Sequence, residues 1–182
     1  MTTGLLLIDI QNDYFPGGAF PLVGPEAAAA AAAKVLEKQR ASGAPIVHMQ
    51  HVWDGSDATF MRPGTAGIEI NDAVTPADGE PVVQKNYPNS FRDTGLHEQL
   101  QSLGVDSLVV VGMMSSMCVD ATVRAADDLG YPVTVVHDAC AAPDLEFDGT
   151  SVPGAQVHSA VMGALGSMIA TVTSSEELLA QS

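Results

Sequence analysis

Three side chains able to do covalent chemistry, Asp9, Lys85 and Cys118, stand at the ends of apolar runs: "GLLLIDI", "PVVQK" and, across a short turn, "DSLVVVGMMSSMC". A thiol attacks as the thiolate, and at its ordinary pKa of ~8.5 only a few per cent is in that form at neutral pH. Cys118 falls in what reads as the first turn of a helix, whose N-terminal partial positive charge favours an anion. Lys85 would add a full positive charge, so the pattern predicts a sulfur held toward the thiolate. Asp9 is suited to take the thiol proton and later to activate water. Free backbone N–H groups at a helix start suit a developing oxyanion. Nucleophile, base, cation and oxyanion hole together describe covalent attack on a carbonyl.

Each residue alone has a plainer reading. Cysteine is among the most often buried residue types, Asp9 alone is a turn former, and Lys85 alone is a surface charge. The conjunction decides. Asp9 follows the unbroken apolar run Leu5 to Ile8 at the end of a strand that should be central, and an acid there is costly unless paired or used.

Bringing these residues together is the task of the elements between them. Apolar runs predict strands over 4–10, 45–52, 81–85, 106–112, 131–139 and 167–173. Helical patterns fill 25–43, 96–104, 116–130 and 154–166, and the tail from Ser174 or Ser175 starts like a capped helix. Near-continuous hydrophobic strands separated by single helices predict a parallel sheet covered on both faces. The fold class is therefore α/β, a three-layer α/β/α doubly wound Rossmann-like architecture, read as one domain over 1–182. Sites in such sheets form beyond the carboxyl ends of the strands, where His48, His51, His137 and Asp138 also fall. Three long irregular stretches, 15–25, roughly 53–80 and 143–153, are the expected enclosing loops.

Composition sets the outer bounds. The 182 residues carry 22 acidic and 7 basic side chains, a formal charge of −15. Such a surface repels phosphate backbones, so nucleic acid is not an expected partner. No apolar stretch reaches membrane-spanning length, and the N-terminal run stops at Asp9 without a basic leader. Two cysteines make no disulfide framework, so a reduced, cytoplasmic setting is the default expectation. Cys140 reads as a small buried residue.

Four stretches, "LLLIDIQNDYF", "VVQKNYPNSF", "VVVGMMSSMCVDATVRAADDLGY" and "VTVVHDACAAPD", together resemble the isochorismatase-like cysteine hydrolases, over essentially the whole chain. The resemblance implies a doubly wound, six-stranded parallel sheet and a catalytic triad of Asp9 (general base), Lys85 (charge stabilisation) and Cys118 (nucleophile). It also implies a cis peptide between Met113 and Met114, with the amides of Met114 and Cys118 as the oxyanion hole. Members named for isochorismatase activity cleave a vinyl ether without a cysteine at this position. Cys118 thus points to hydrolysis of an amide-like C–N bond through a thioester, without a cofactor, in a homodimer or homotetramer. The nicotinamidase branch binds a metal through Asp-x-His. Here the stretch reads "HVWDGSDATFMRPG", leaving only His51 and Asp54, and no metal site is expected.

Phe15, Trp53, Phe60, Tyr87 and Phe91 flank the proposed site and suggest a small, partly apolar substrate. His51, Asn89 and Ser90 offer polar contacts, while Ser115 and Ser116 suit helix capping as well as substrate binding. Of His48 and His51, one is expected buried on a backbone partner and one lining the pocket. Three alternatives remain open: a metal-assisted amidase, a non-catalytic protein on the same fold, and a peroxide-sensing thiol at Cys118.

Overall fold

The computed structural model describes residues 2–181. Its central sheet is built from β1 (Thr3–Ile8), β2 (Ile46–His51), β3 (Val82–Lys85), β4 (Ser107–Met113), β5 (Val133–Ala141) and a short edge strand, β8 (Thr171–Thr173). Between them run α1 (Pro25–Ser42), α2 (Leu96–Ser102), α3 (Asp120–Asp128) and α4 (Gly154–Met168), with α5 (Ser175–Ala180) closing the chain. A two-stranded hairpin, β6 (Leu145–Phe147) and β7 (Thr150–Val152), sits apart from the sheet.

The sheet order is β3-β2-β1-β4-β5-β8, with every pairing parallel. The chain lays down β1, β2 and β3 in one direction, then crosses back to place β4 beside β1. A crevice opens beyond the strand ends where the winding reverses, so the residues following β1 and β4 flank it.

Alternation within the strands divides the core. Leu5 and Leu7 face α1 and join Ala28, Ala32, Val35 and Leu36 in one cluster. Leu6 and Ile8 face the other side and join Leu100, Val123 and Leu165. The alanine run of α1 serves this packing: Ala28, Ala29, Ala31 and Ala32 are buried against the sheet, while Ala27 and Ala30 are exposed.

The structure differs from the sequence expectation in three places. The helix expected over 116–130 begins as a π-turn, Ser115–Val119, before α3 takes over. Helix α4 runs to Met168, through Gly163 and Gly166, which weaken a helix without ending it, and β8 shrinks accordingly to Thr171–Thr173. The stretch 143–153, read as a loop, holds the β6–β7 hairpin. Its turn residues Asp148 and Gly149 have φ of 49° and 72°, the left-handed pair an Asp-Gly turn supplies. Among the described residues no helix is long and apolar enough to cross a membrane.

Candidate active site

Asp9, Lys85 and Cys118 meet at the switch point with relative exposures of 0%, 1% and 3%. Asp9 follows β1 and turns the chain away with a φ of 48°. The residue before it, Ile8, is in register with Gly112 of β4, at φ 133°, where a Cβ would collide with the Ile8 backbone. The two strands carrying the acid and the thiol approach this closely only because Gly112 has no side chain. Lys85 ends β3, two strands from β1, a gap of about 10 Å at ordinary strand spacing. Its long side chain crosses the end of β2, past His51, with which it is in register.

The ammonium of Lys85 is fully engaged. Its Nζ lies 2.6 Å from Asp9 Oδ2, donates to His51 Nδ1 at 3.0 Å and donates to the Tyr87 carbonyl at 3.0 Å. Burial alone would lower its pKa, but Asp9 and Cys118 outweigh that and hold it above the usual lysine value. Asp9 is less well served. The close contact with Lys85 is off-line for a hydrogen bond, and neither buried carboxylate oxygen has a hydrogen-bond partner. Such an oxygen is free to accept a proton or an N–H, and costly to leave idle. Because Lys85 donates to Nδ1, a neutral His51 carries its proton on Nε2. Burial first, and Lys85 second, lower the His51 pKa.

The sulfur corrects one expectation. Burial and the adjacent Asp9 carboxylate push the Cys118 thiol above its ordinary pKa, and the opposing pull of Lys85 is too weak to reverse them. The resting group is the thiol, so its proton leaves as attack proceeds. Cys140 is inert for a simpler reason: buried, with its Sγ donating to the Val136 carbonyl at 3.4 Å, it is pushed up to about 12.

A cleft of about 420 Å³ opens above Cys118, lined by Tyr14, Phe20, His51, Trp53, Phe60 and Asn86, with Pro88, Met114 and Met117 at its sides. Of the predicted contacts, His51, Trp53 and Phe60 take this position. Phe15 does not, because the 3₁₀ turn Asn12–Tyr14 delivers Tyr14 to the cleft and Phe15 to the α1-side core. Tyr87 lies under the Arg92 guanidinium, 3.6 Å from its ring centroid, and serves the site through its carbonyl. The Asn89 side chain accepts from the Phe91 N–H at 2.9 Å and so shapes its own turn. Phe91 stacks on Tyr131 with centroids 6.2 Å apart, on the other face of the sheet. Ser90 is buried on Thr122. Ser115 is buried and bonded to His158 Nδ1 at 3.2 Å. His48 is the buried histidine, but its partner is the Glu80 carboxylate at 2.9 Å rather than the backbone.

Two positioning residues escaped the sequence reading. Gln11 clamps the end of β2, donating to the carbonyls of His51 and Ile68 at 2.9 and 2.7 Å and accepting from the His51 N–H at 2.8 Å. Asp13 accepts from the N–H groups of Ala19 and Met61 at 3.0 and 2.6 Å, tying both long loops over the cleft. The only local signal was two polar residues, in "DIQNDYF", directly after a buried strand.

Among the described residues one group has metal-ligand spacing: Asp9, His51 and Cys118, with atoms within 4.8 Å of one another. Asp54 is not part of it. The Lys85 ammonium touches two of the three, so the charge a cation would supply is already in place.

The motif "LLLIDIQNDYF" now has a spatial meaning, and the comparison with known proteins agrees. Residues 3–177 match the isochorismatase domain. The chain belongs to the isochorismatase family. It is 51% identical over 179 residues to the uncharacterised isochorismatase family protein YddQ of Bacillus subtilis, covering 98% of this chain and 99% of that one. A streptothricin hydrolase of Streptomyces noursei is 37% identical over 176 residues, 92% of this chain and 61% of that one. The crystal structure of a protein from Oleispira antarctica assigned to the isochorismatase hydrolases superposes with a TM-score of 0.95 at 52% identity, covering 98% and 96% of the two chains. Its likeness extends to the six-stranded parallel sheet with flanking helices. The family includes hydrolases of amide C–N bonds, among them a ureidoacrylate amidohydrolase and an N-carbamoylsarcosine amidase, and this chain is a hydrolase of that family.

Proposed function

We propose that this isochorismatase-family protein cleaves the C–N bond of a small amide-like substrate through a thioester on Cys118. One observation carries the reading: the thiol lining the cleft lies within 4.8 Å of a buried carboxylate that is ion-paired with an ammonium yet has no hydrogen bond of its own. Sulfur adds to the substrate carbonyl carbon while Asp9 takes the thiol proton. The resulting oxyanion is held by the N–H of Met114, which has no partner among the described residues, and by that of Cys118. The Met113–Met114 peptide between β4 and the π-turn is cis. The C–N bond then breaks as Asp9 returns the proton to the departing nitrogen. Water attacks the thioester with Asp9 again as base, the C–S bond breaks, and sulfur recovers its proton. Lys85 stays paired with Asp9 between these transfers and faces the sulfur through both.

Release of ammonia or amine across a panel of primary amides, lactams and carbamoyl compounds tests the proposal. Turnover by the wild type that vanishes in Cys118→Ser supports it; equal turnover by the two proteins removes it.

A further inference from the structure

We propose that the substrate of this site carries no carboxylate or phosphate, and that its non-reacting part is an uncharged, flat, apolar group held by Tyr14, Phe20, Trp53 and Phe60. The inference rests on the hydrolase reading above and adds to it the chemical class that the cleft accepts.

The positions of the cations decide what the cleft accepts. A buried carboxylate or phosphate needs a cationic or multiply hydrogen-bonding partner, and the chain has only 7 basic residues. Lys34, Lys38 and Arg40 lie on α1; Lys38 donates to carbonyls of the C-terminal helix, and Arg40 is bound to Glu80. Arg124 is paired with Asp120 on α3. Arg62 is exposed and Arg92 caps the Tyr87 ring. None of these six lines the cleft. Lys85, buried beneath His51, does not line it either: two of its N–H bonds go to His51 and the Tyr87 carbonyl, and its charge is already paired with Asp9. In the loop around the cleft, exposed Asp54 and Asp57 follow Trp53 and exposed Arg62 follows Phe60, on a chain of formal charge −15. An anionic substituent would find no cation among the residues lining the cleft.

The rings say what fits instead. Phe20 and Phe60 stack with centroids 5.0 Å apart, Trp53 meets Phe60 edge-on at 5.4 Å, and Tyr14 approaches Phe60 at 6.0 Å. Rings already packed against one another form an apolar wall that suits an aromatic or compact alkyl group; they do not form an open box around a cation. The polar side chains in the cleft, His51, Asn86 and the Tyr14 hydroxyl, can serve one neutral amide.

The test reads Cys118 directly and needs no known substrate. Wild-type protein is treated with 2-chloro-N-phenylacetamide, its 4-carboxy analogue and its 4-trimethylammonio analogue. Adduct formation is followed by intact mass and peptide mapping, with each rate divided by that for free cysteine. The neutral probe should exceed the carboxylate probe at least tenfold, with the cationic probe below the neutral one. Met117→Arg, at a cleft position that is 49% exposed, should narrow or reverse the gap between neutral and carboxylate probes. A carboxylate or cationic probe that matches the neutral one in the wild type overturns the inference while leaving the nucleophile intact. No labelling of Cys118 by any probe even at pH 10, where its alkylation should be fastest, overturns both the inference and the hydrolase reading beneath it.

Discussion

Replacing Asp9 by Asn separates two accounts of the sulfur that otherwise predict the same dead enzyme. If a thiolate stood ready at rest, Asp9 would matter little to its reactivity. The structure instead gives a buried thiol whose ionisation is opposed by desolvation and by the carboxylate beside it. Asp9 and Cys118 atoms lie within 4.8 Å; at that separation and an effective dielectric of about 20, two unit charges interact by about 3.5 kcal/mol. Removing one charge should therefore lower the thiol pKa by roughly 2.5, or about 300-fold in thiolate fraction, and by more at a shorter separation. Asp9→Asn should be alkylated by iodoacetamide at pH 7–8 at least tenfold faster than the wild type. Amide hydrolysis, deprived of its proton carrier, should fall by roughly 100- to 10,000-fold. In the wild type, the alkylation rate should still be climbing above pH 9, since a raised pKa leaves less thiolate at each pH. Timed intact-mass spectra across pH 6–10 give both curves. Alkylation that slows in step with hydrolysis, or a wild-type plateau below pH 8, would refute the reasoning.

Lys85→Ala removes the cation that Asp9, His51 and Cys118 share. Hydrolysis should be lost, stability should fall by about 3–5 kcal/mol for the orphaned carboxylate, and the variant should take up Zn²⁺ where the wild type does not, as read by competition with a chromophoric chelator. Gly112→Ala drives a Cβ into the Ile8 backbone. Overpacking against backbone costs about 1–3 kcal/mol, so thermal denaturation should show a Tm lower by roughly 2–12 °C at this chain length, with activity falling further as β1 and β4 part. Ser174→Ala breaks the capping box of α5 with Glu177 and should cost about 1 kcal/mol in urea titration with hydrolysis unchanged.

The sequence announced the sheet because parallel strands buried on both faces read as unbroken apolar runs, as β1 and β4 do, while β2, β3 and β5 start apolar and turn polar toward their carboxyl ends. It announced Asp9, Lys85 and Cys118 because strand ends are where such sheets gather ligands. Their side-chain environments were less legible. Helix position and a lysine pointed to a thiolate; the dominant influences, burial and a carboxylate brought in from 109 positions away along the chain, exist only in three dimensions. The cleft wall shows the same limit. Tyr14 and Phe15 are adjacent and chemically alike, and only the 3₁₀ turn decides which reaches the cleft. Asn86 and Asn89 exchange roles likewise, Asn89 being consumed by its own turn while Asn86 reaches the Val52 carbonyl and the cleft. The β6–β7 hairpin was readable from "FDGT" and its Asp-Gly turn, but such short strands leave no apolar period to notice.

The most direct measurement of the central claim is the intact mass of protein quenched with acid during turnover of an amide it hydrolyses. The account predicts a population heavier by the substrate's acyl group, lighter than the whole substrate by the departed amine, mapped to Cys118 and removed by hydroxylamine. Steady turnover with Cys118 unmodified at every quench time, or the acyl group found on another residue, would contradict it.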